Sequence, residues 1–366
     1  MKAQPEFLNS YQAATLMVVG IVPTAILTVP TSVIRYAGHS AWISMLLSTL
    51  LTVLVALLVS GLIRFYNGKS LFELLRQQVG AWAAAAAGLL LALYYWISMI
   101  DILHQFTDFV REKLLSRTPN MIICMVILAV AIYAVDQGLT VLANTSSVLI
   151  VGSGVTMCLS TVLFFNLMQP GWVLPLTGVP AIRIIQGSFG PISWLSEISF
   201  LLLIAHRLKP PVKTLGLTVG VSLITGFTLL WVILGTIMIL GPDIPKLLNY
   251  ASFSVFGVVE IGEFVQRIDI IFVAIWMSTM FMKLAVYVYG CIYCLRETLK
   301  LTRQRAIYFP LSVLTCEHST QTWIMGASFR HFTTYNLYSY VGNILIPALL
   351  VLVLWLTRHR KADSAL

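Results

Sequence analysis

The feature that most constrains this chain is a series of apolar runs, each about as long as a membrane is thick. A helix needs about 20 mostly apolar residues to cross the hydrocarbon core of a bilayer, and nearly uncharged stretches of that length recur from Tyr11 to Leu356. Only 10% of the 366 residues are charged, whereas about a quarter are charged in an ordinary soluble domain. The sequence therefore predicts an all-α polytopic membrane protein and excludes a soluble globular one.

The apolar runs predict ten membrane spans within a single transmembrane domain that covers residues 1–366. The ninth is the least regular, because TCEHSTQT is polar for a lipid environment. Between spans two and three, SLFELLRQQVG has the Ser-x-x-Glu capping pattern and predicts a short interfacial helix. The predicted spans cover residues 11–36, 41–65, 81–109, 121–135, 141–167, 184–208, 215–240, 268–295, 307–326 and 337–356.

The positive charges predict how the chain lies across the membrane. With ten spans, 14 Lys and Arg residues fall on the side that holds both termini, and 8 fall on the other side. Cytoplasmic loops carry the excess of positive charge, so both termini are predicted to be cytoplasmic. The net charge of +9 is explained by these loops, and we predict no nucleic-acid partner.

The stretch GIVPTAILTVP, residues 20–30, places helix-breaking residues inside the first span. A proline in a helix removes one backbone hydrogen bond and costs about 3 kcal/mol. Non-helical backbone at membrane depth is found only where it is buried in protein or lines a hydrated cavity. Gly20 and Pro23 lie near the middle of the span, so the pattern predicts a break there, whereas Pro30 lies near its outer end.

A second stretch of this kind, QGSFGPISW, occupies residues 186–194 in the sixth span. Its Gly187 lies 167 residues after Gly20, about half the chain. Interrupted spans at matching positions of two halves are typical of inverted-repeat transporters. We therefore predict a LeuT-like 5+5 inverted repeat with helices one and six broken, the repeats covering about 8–167 and about 180–357. The alternative is that each motif is only a packing kink, because Gly and Pro are common in membrane helices.

An unwound segment exposes amide N–H groups that suit a carboxylate and carbonyls that suit an ammonium group. A zwitterionic amino acid would satisfy both, so the breaks predict a site for a small ligand. The polar face of the third span should look into the bundle, and Trp276 and Ser278 are wall candidates by analogy with the fold. The predicted ligand-binding residues are Gly20, Ile21, Val22, Pro23, Thr24, Tyr95, Ser98, Met99, Ser188, Phe189, Gly190, Trp194 and Ser278.

Three of the ionisable residues inside the predicted spans are candidate ion, proton or structural sites, because charge is expensive there and usually functional. Glu197 either holds a proton or cation near the ligand or pairs with a neighbouring helix. Lys283 either takes the position of a sodium ion in ion-coupled relatives of the fold, or snorkels or forms a structural salt bridge. Asp101 belongs to the polar face of span three. No motif indicates catalysis, a metal site or a cofactor.

Three segments carry a resemblance to a known family: AGHSAWIS at 37–44, GKSLFELL at 68–75 and RIDIIFVAIWMSTMFMKLAVYVYG at 267–290. Nearly the whole chain resembles the B subunits of endospore germinant receptors, the spore germination permeases of the amino acid-polyamine-organocation superfamily. The resemblance implies a spore inner-membrane protein that detects a small nutrient, typically an amino acid, together with an A subunit and a lipoprotein C subunit. A permease that transports its ligand is the alternative.

The chain departs from that family at two places. His39 and Ser40 stand where the family usually has Gln-Asp, and Thr140 and Asn144 stand where relatives often have an acidic and a basic residue. These differences indicate a divergent ligand.

Overall fold

The computed structural model describes residues 7–66, 68–175, 178–210, 213–258, 269–301, 303–320 and 336–363. These residues are almost entirely helical, as predicted. An isolated parallel bridge joins Leu8 to Leu208, because Leu8 N donates to Arg207 O and Lys209 N donates to Leu8 O, both at 2.8 Å. The start of the first helix is thereby tied to the end of the sixth span.

Helices are present at each predicted span, but they differ in length. In the described part of the chain, seven helical segments are long and apolar enough to cross a membrane, and one of these contains both α1 and α2. The ten-span count remains a prediction, because α5 is a shorter apolar helix and residues 321–326 of the ninth span lie outside the described ranges. The helices are α1 Ser10–Ala37, α2 Ala41–Ile63, α3 Leu71–Gln78, α4 Ala81–Lys113, α5 Asn120–Asp136, α6 Leu139–Phe164, α7 Ala181–Leu195, α8 Leu201–Ile204, α9 Thr214–Leu240, α10 Ala251–Ser254, α11 Asp269–Leu299, α12 Arg305–Thr320 and α13 Ile346–Asp363.

The capping patterns of the sequence mark two helix starts. Asn9 and Gln12 form a capping box at the start of α1, and Ser70 and Glu73 form one at the start of α3. Each box satisfies two backbone donors that the first turn of a helix leaves open. The short helix predicted between spans two and three is therefore confirmed as α3.

The break predicted in the first span is wrong. The α-helix continues from Ser10 to Ala37, through Gly20, Pro23 and Pro30. Pro30 has no N–H to give to Ile26 O four residues earlier, but the hydroxyl of Ser252 in α10 donates to that carbonyl at 2.6 Å. A neighbouring side chain replaces the missing donor, so the helix does not need to unwind.

The sixth span does lose its α-helical form, but further along than predicted. The helix α7 passes through Gly187 and Pro191 and ends at Leu195. A 3₁₀ segment, Ser196–Phe200, follows it and leads into the single turn of α8. This span is the centre of the bundle. In its most apolar stretch 89% of the residues are buried, whereas in that of the fifth span only 6% are buried.

Small residues set the distance between α7 and α2. A Cβ atom on Gly187 would lie 2.9 Å from Ser44 Oγ, so a larger residue would displace this side chain. Ser44 Oγ donates to Ile184 O and Ser48 Oγ donates to Ser188 O, both at 2.8 Å. The glycine and the two serines therefore hold α7 against α2 by close packing and hydrogen bonds.

Candidate functional site

A buried ion pair joins three helical segments at the centre of the molecule. Lys283 Nζ in α11 lies 2.7 Å from Glu197 Oε2 in the 3₁₀ segment and 2.7 Å from Thr24 Oγ1 in α1. It also lies 3.4 Å from Ile21 O. The side chains of Lys283 and Glu197 are 0% and 3% exposed. Of the alternatives open for these two residues, the structure shows a salt bridge between neighbouring spans.

A second contact from α11 to α1 lies about two turns earlier on α11. Trp276 Nε1 donates to Pro23 O at 2.8 Å, and the Trp276 ring packs against Phe106 and Phe109 of α4. Two of the α1 carbonyls that were expected to face a ligand, those of Ile21 and Pro23, thus accept hydrogen bonds from the protein itself. Lys283 and Trp276 hold α1 through the region of its prolines.

Serines at every third position explain where the sixth span changes its geometry. Ser193, Ser196 and Ser199 have the period of a 3₁₀ helix, in which residues three apart lie above one another. Ser196 Oγ donates to Ser193 O at 2.8 Å, and Ser339 Oγ of the last span donates to the same carbonyl at 2.8 Å. Hydroxyl groups therefore satisfy backbone that is no longer held by regular α-helical hydrogen bonds.

Asn343 connects this 3₁₀ segment to the last span. Its Oδ1 accepts from Ser199 Oγ at 2.5 Å, and its Nδ2 donates to Tyr94 OH at 2.7 Å and to Ser339 Oγ at 3.0 Å. Asn343 lies in a π-helical turn, Val341–Leu345, a geometry that is frequent at functional sites. This asparagine is only 1% exposed, so its contacts bring three spans together in the buried interior.

The polar face predicted on the third span is present on α4. Asp101 and Gln105 are 4% and 9% exposed, and Gln105 Nε2 donates to Asp101 Oδ2 at 3.0 Å. Further along, His104 Nε2 lies 3.1 Å from Asp108 Oδ2 in a less buried setting. Asp101 and Gln105 are therefore the more deeply buried part of this face.

Most of the predicted ligand residues are buried. Ile21 and Thr24 contact Lys283, and the ring of Tyr95 packs edge-on against Tyr287 and Phe200. The buried members of the predicted set are Gly20, Ile21, Pro23, Thr24, Tyr95, Ser98, Met99, Ser188, Gly190 and Trp194.

One predicted residue is exposed, and two are only half-buried. The Phe189 side chain is 52% exposed. Val22 and Ser278 are half-buried, and Ser278 donates to Ala274 O of its own helix at 2.8 Å. The ligand-binding set remains a prediction, and the buried members are its stronger part.

Sequence reasoning missed the residues that support the 3₁₀ segment, namely Ser199, Ser339 and Asn343. The three-residue spacing of serines from Ser193 to Ser199 was a readable signal for this geometry. Asn343 had no comparable signal, because its partner Ser199 lies 144 residues away in the sequence.

Within the described ranges, no group of His, Cys, Asp and Glu side chains is placed to hold a metal ion.

Comparison with solved structures identifies the fold. The chain aligns over 95% of its length with a substrate-bound Na⁺-coupled sialic acid symporter, covering 79% of that protein at 12% identity and a TM-score of 0.66. It aligns equally far with MhsT in complex with L-phenylalanine, covering 89% of that protein at 12% identity and a TM-score of 0.65. The fold is thus that of the LeuT-like transporters.

Sequence comparison identifies the family. Spore germination protein XB of Bacillus anthracis is 22% identical over 366 residues, which cover 97% of this chain and 99% of that protein. Residues 7–322 match the spore permease profile, described as spore germination protein. The chain therefore belongs to the spore germination protein family.

Proposed function

We propose that this protein is the nutrient-sensing subunit of a spore germinant receptor, which binds a small amino acid beside the Lys283–Glu197 pair. The observation that carries the proposal is this buried pair itself, because it holds α1, α11 and the 3₁₀ segment of the sixth span in one arrangement. A small ligand that binds between these elements changes how they pack. The family and the fold, one member of which holds L-phenylalanine, support a ligand of this size.

The proposed signal leaves the site through the sixth and last spans. Ser193 and Ser199 in the sixth span are hydrogen-bonded to Asn336 and Asn343 in the last. A ligand that binds one packing of these spans more tightly than another shifts the population toward it. In this proposal the shift is passed to an A subunit and a lipoprotein C subunit in the spore inner membrane, with both termini of this chain cytoplasmic and membrane lipid around it.

A permease that transports its ligand is the second candidate. It is favoured by the solved structures of the same fold, which include a Na⁺-coupled symporter with substrate bound. The two candidates share one binding site and differ only in whether the ligand crosses. Proteoliposomes that contain this protein alone distinguish them, because accumulation of a labelled amino acid is expected for a permease and not for a sensor.

Substitutions at the predicted site test the sensor. A Cβ on Gly20 would lie 3.9 Å from Val286 Cγ1, so Gly20→Leu pushes a bulky side chain into the contact between α1 and α11. We expect Gly20→Leu and Gly190→Leu to abolish germination in response to amino acids while insertion in the membrane is kept. Gly154→Leu is the matched control, because Gly154 is exposed on α6 with open space beside it. A normal response in both site variants would refute the assignment of the pocket.

A further inference from the structure

The acceptors expected for a ligand's ammonium group on α1 are already in use. An ammonium group has three N–H donors and no acceptor. The Lys283 ammonium is matched by three oxygens, those of Glu197, Thr24 and Ile21, and Trp276 donates to Pro23 O. Under the proposed function, on which this inference rests, the positive end of an amino acid would compete with Lys283 and Trp276 at these α1 oxygens.

The neighbouring polar face of α4 offers a carboxylate and a carbonyl side by side. Asp101 lies one turn after Ser98, a residue of the predicted ligand site, and is 4% exposed. The Gln105 amide lies directly against it, with Nε2 3.0 Å from Asp101 Oδ2. The two side chains come from successive turns of one helix, so their relative position is fixed by the helix itself.

The Gln105 carbonyl oxygen is the atom that points to a ligand. Within the described residues this oxygen is buried and accepts no hydrogen bond, and the residue is 9% exposed. Leaving a buried acceptor without a donor costs free energy, and such atoms are few in folded proteins. A ligand that brings N–H donors to Gln105 Oε1 would satisfy this acceptor, and a positive charge on that ligand would lie beside the Asp101 carboxylate.

We propose that Asp101 and Gln105 bind the ammonium group of the ligand. A carboxylate and an adjacent amide oxygen are both acceptors, which matches a group that only donates. The positive charge favours an ammonium over a hydroxyl, because charge-assisted hydrogen bonds are the stronger ones. The ligand class is therefore amino acids and small amines, and sugars and nucleosides without an amine are excluded.

The test uses the purified full-length protein in lipid nanodiscs and measures the shift of its melting temperature with ligand concentration. The probes are the common L-amino acids, each compared with the α-hydroxy acid of the same side chain, together with methylammonium chloride and sodium chloride. At least one amino acid is expected to stabilise the protein, and its hydroxy acid is not. Asp101→Asn is expected to weaken binding of that amino acid by at least about 30-fold, because it removes one partner of a buried charge contact.

Two further variants keep the test decisive if Asp101→Asn folds poorly. Gln105→Leu retains the Asp101 carboxylate. It is expected to lower the affinity for the same amino acid by about tenfold, the effect of losing one hydrogen bond to a charged group. Asp108→Asn is the matched control on the same helix, since Asp108 pairs with His104. The affinity of this variant for the amino acid should stay at the wild-type value.

Three results would overturn the assignment. Equal binding of an amino acid and its hydroxy acid would show that the ammonium group is not recognised. Equal affinity of Asp101→Asn, Gln105→Leu and Asp108→Asn would place the ammonium elsewhere, while leaving the sensing function intact. Stabilisation of the wild type by sodium alone, lost in Asp101→Asn, would make this an inorganic cation site. If no amino acid or amine stabilises the wild type, the proposed function fails as well.

Discussion

The first and sixth spans carry similar Gly and Pro motifs but fold differently. The first remains one α-helix from Ser10 to Ala37, whereas the sixth changes to a 3₁₀ segment at Ser196, beyond its own proline. A proline removes a donor in both spans, so the proline alone does not decide the outcome. The difference lies in what the neighbouring elements give to the backbone.

Each span receives polar contacts of a different kind. In α1, donors from other elements reach single carbonyls: Ser252 bonds Ile26 O and Trp276 bonds Pro23 O. In the sixth span, serines of the segment itself and Ser339 of the last span hold Ser193 O and its surroundings. Replacement of one missing hydrogen bond keeps α1 continuous, while a run of hydroxyl groups stabilises a 3₁₀ segment in the sixth span.

Lys283 of α11 bridges the two spans, from Thr24 in the first to Glu197 in the sixth, and its removal should have the largest effect. Lys283→Met leaves Glu197 buried without its counter-ion, and we expect the free energy of unfolding to fall by about 3 kcal/mol or more. Lys283→Met combined with Glu197→Met should recover most of the loss, because both buried charges are then absent. Denaturation in mixed micelles measures both. A double variant as unstable as the single one would show that the pair does not act as a unit.

Asn343 tests the support of the 3₁₀ segment. Asn343→Leu removes the partners of Ser199, Tyr94 and Ser339, and an expected loss of about 2 kcal/mol follows from leaving buried polar groups unsatisfied. Thr357→Val on the same span is the control, since its hydroxyl bonds only the carbonyls of its own helix. The same denaturation assay applies. Equal stability of the two variants would show that the last span does not stabilise the 3₁₀ segment of the sixth span.

A double-mutant cycle between Ser252 and Pro30 tests whether the Ser252 hydroxyl replaces the backbone donor that α1 lacks at Pro30. Ser252→Ala should cost about 1 kcal/mol, because it leaves Ile26 O without a donor. In Pro30→Ala the backbone N–H of residue 30 can reach that carbonyl, so Ser252→Ala should then cost close to nothing. The coupling between the two substitutions is the measured quantity. If the cost of Ser252→Ala is the same in both backgrounds, the serine does not replace the donor that proline lacks.

The sequence predicted what depends on local pattern and composition. The apolar runs located the helices, Ser70 with Glu73 located α3, and the paired motifs indicated the fold. It did not locate the change in the sixth span, because that change depends on contacts such as Asn343 with Ser199 that join distant parts of the chain. Lys283 and Glu197 were recognised separately, but only the packing of three spans brought them to 2.7 Å.

An ion pair at the surface provides the reference for these buried contacts. Arg305 Nη2 lies 2.8 Å from Asp136 Oδ2 and joins α12 to α5, away from both the first and sixth spans. The hydrogen bond from Arg305 lowers the pKa of the Asp136 carboxyl. The stability that this ion pair adds is therefore present above the unfolded-state pKa of an aspartate. It is lost as the pH falls through the lowered folded-state pKa of Asp136.

Arg305→Gln should have the smallest effect of this series, because Arg305 is 78% exposed and water and salt screen such pairs. The melting temperature should fall less than in Ser252→Ala, and the difference from wild type should shrink in high salt and at acidic pH. Ligand binding should be unchanged, since the pair lies outside the proposed site. We attribute the strength of the Lys283 contacts with Glu197 and Thr24 to their burial, and not to the mere presence of an ion pair. An effect of Arg305→Gln as large as that of Lys283→Met would contradict this view.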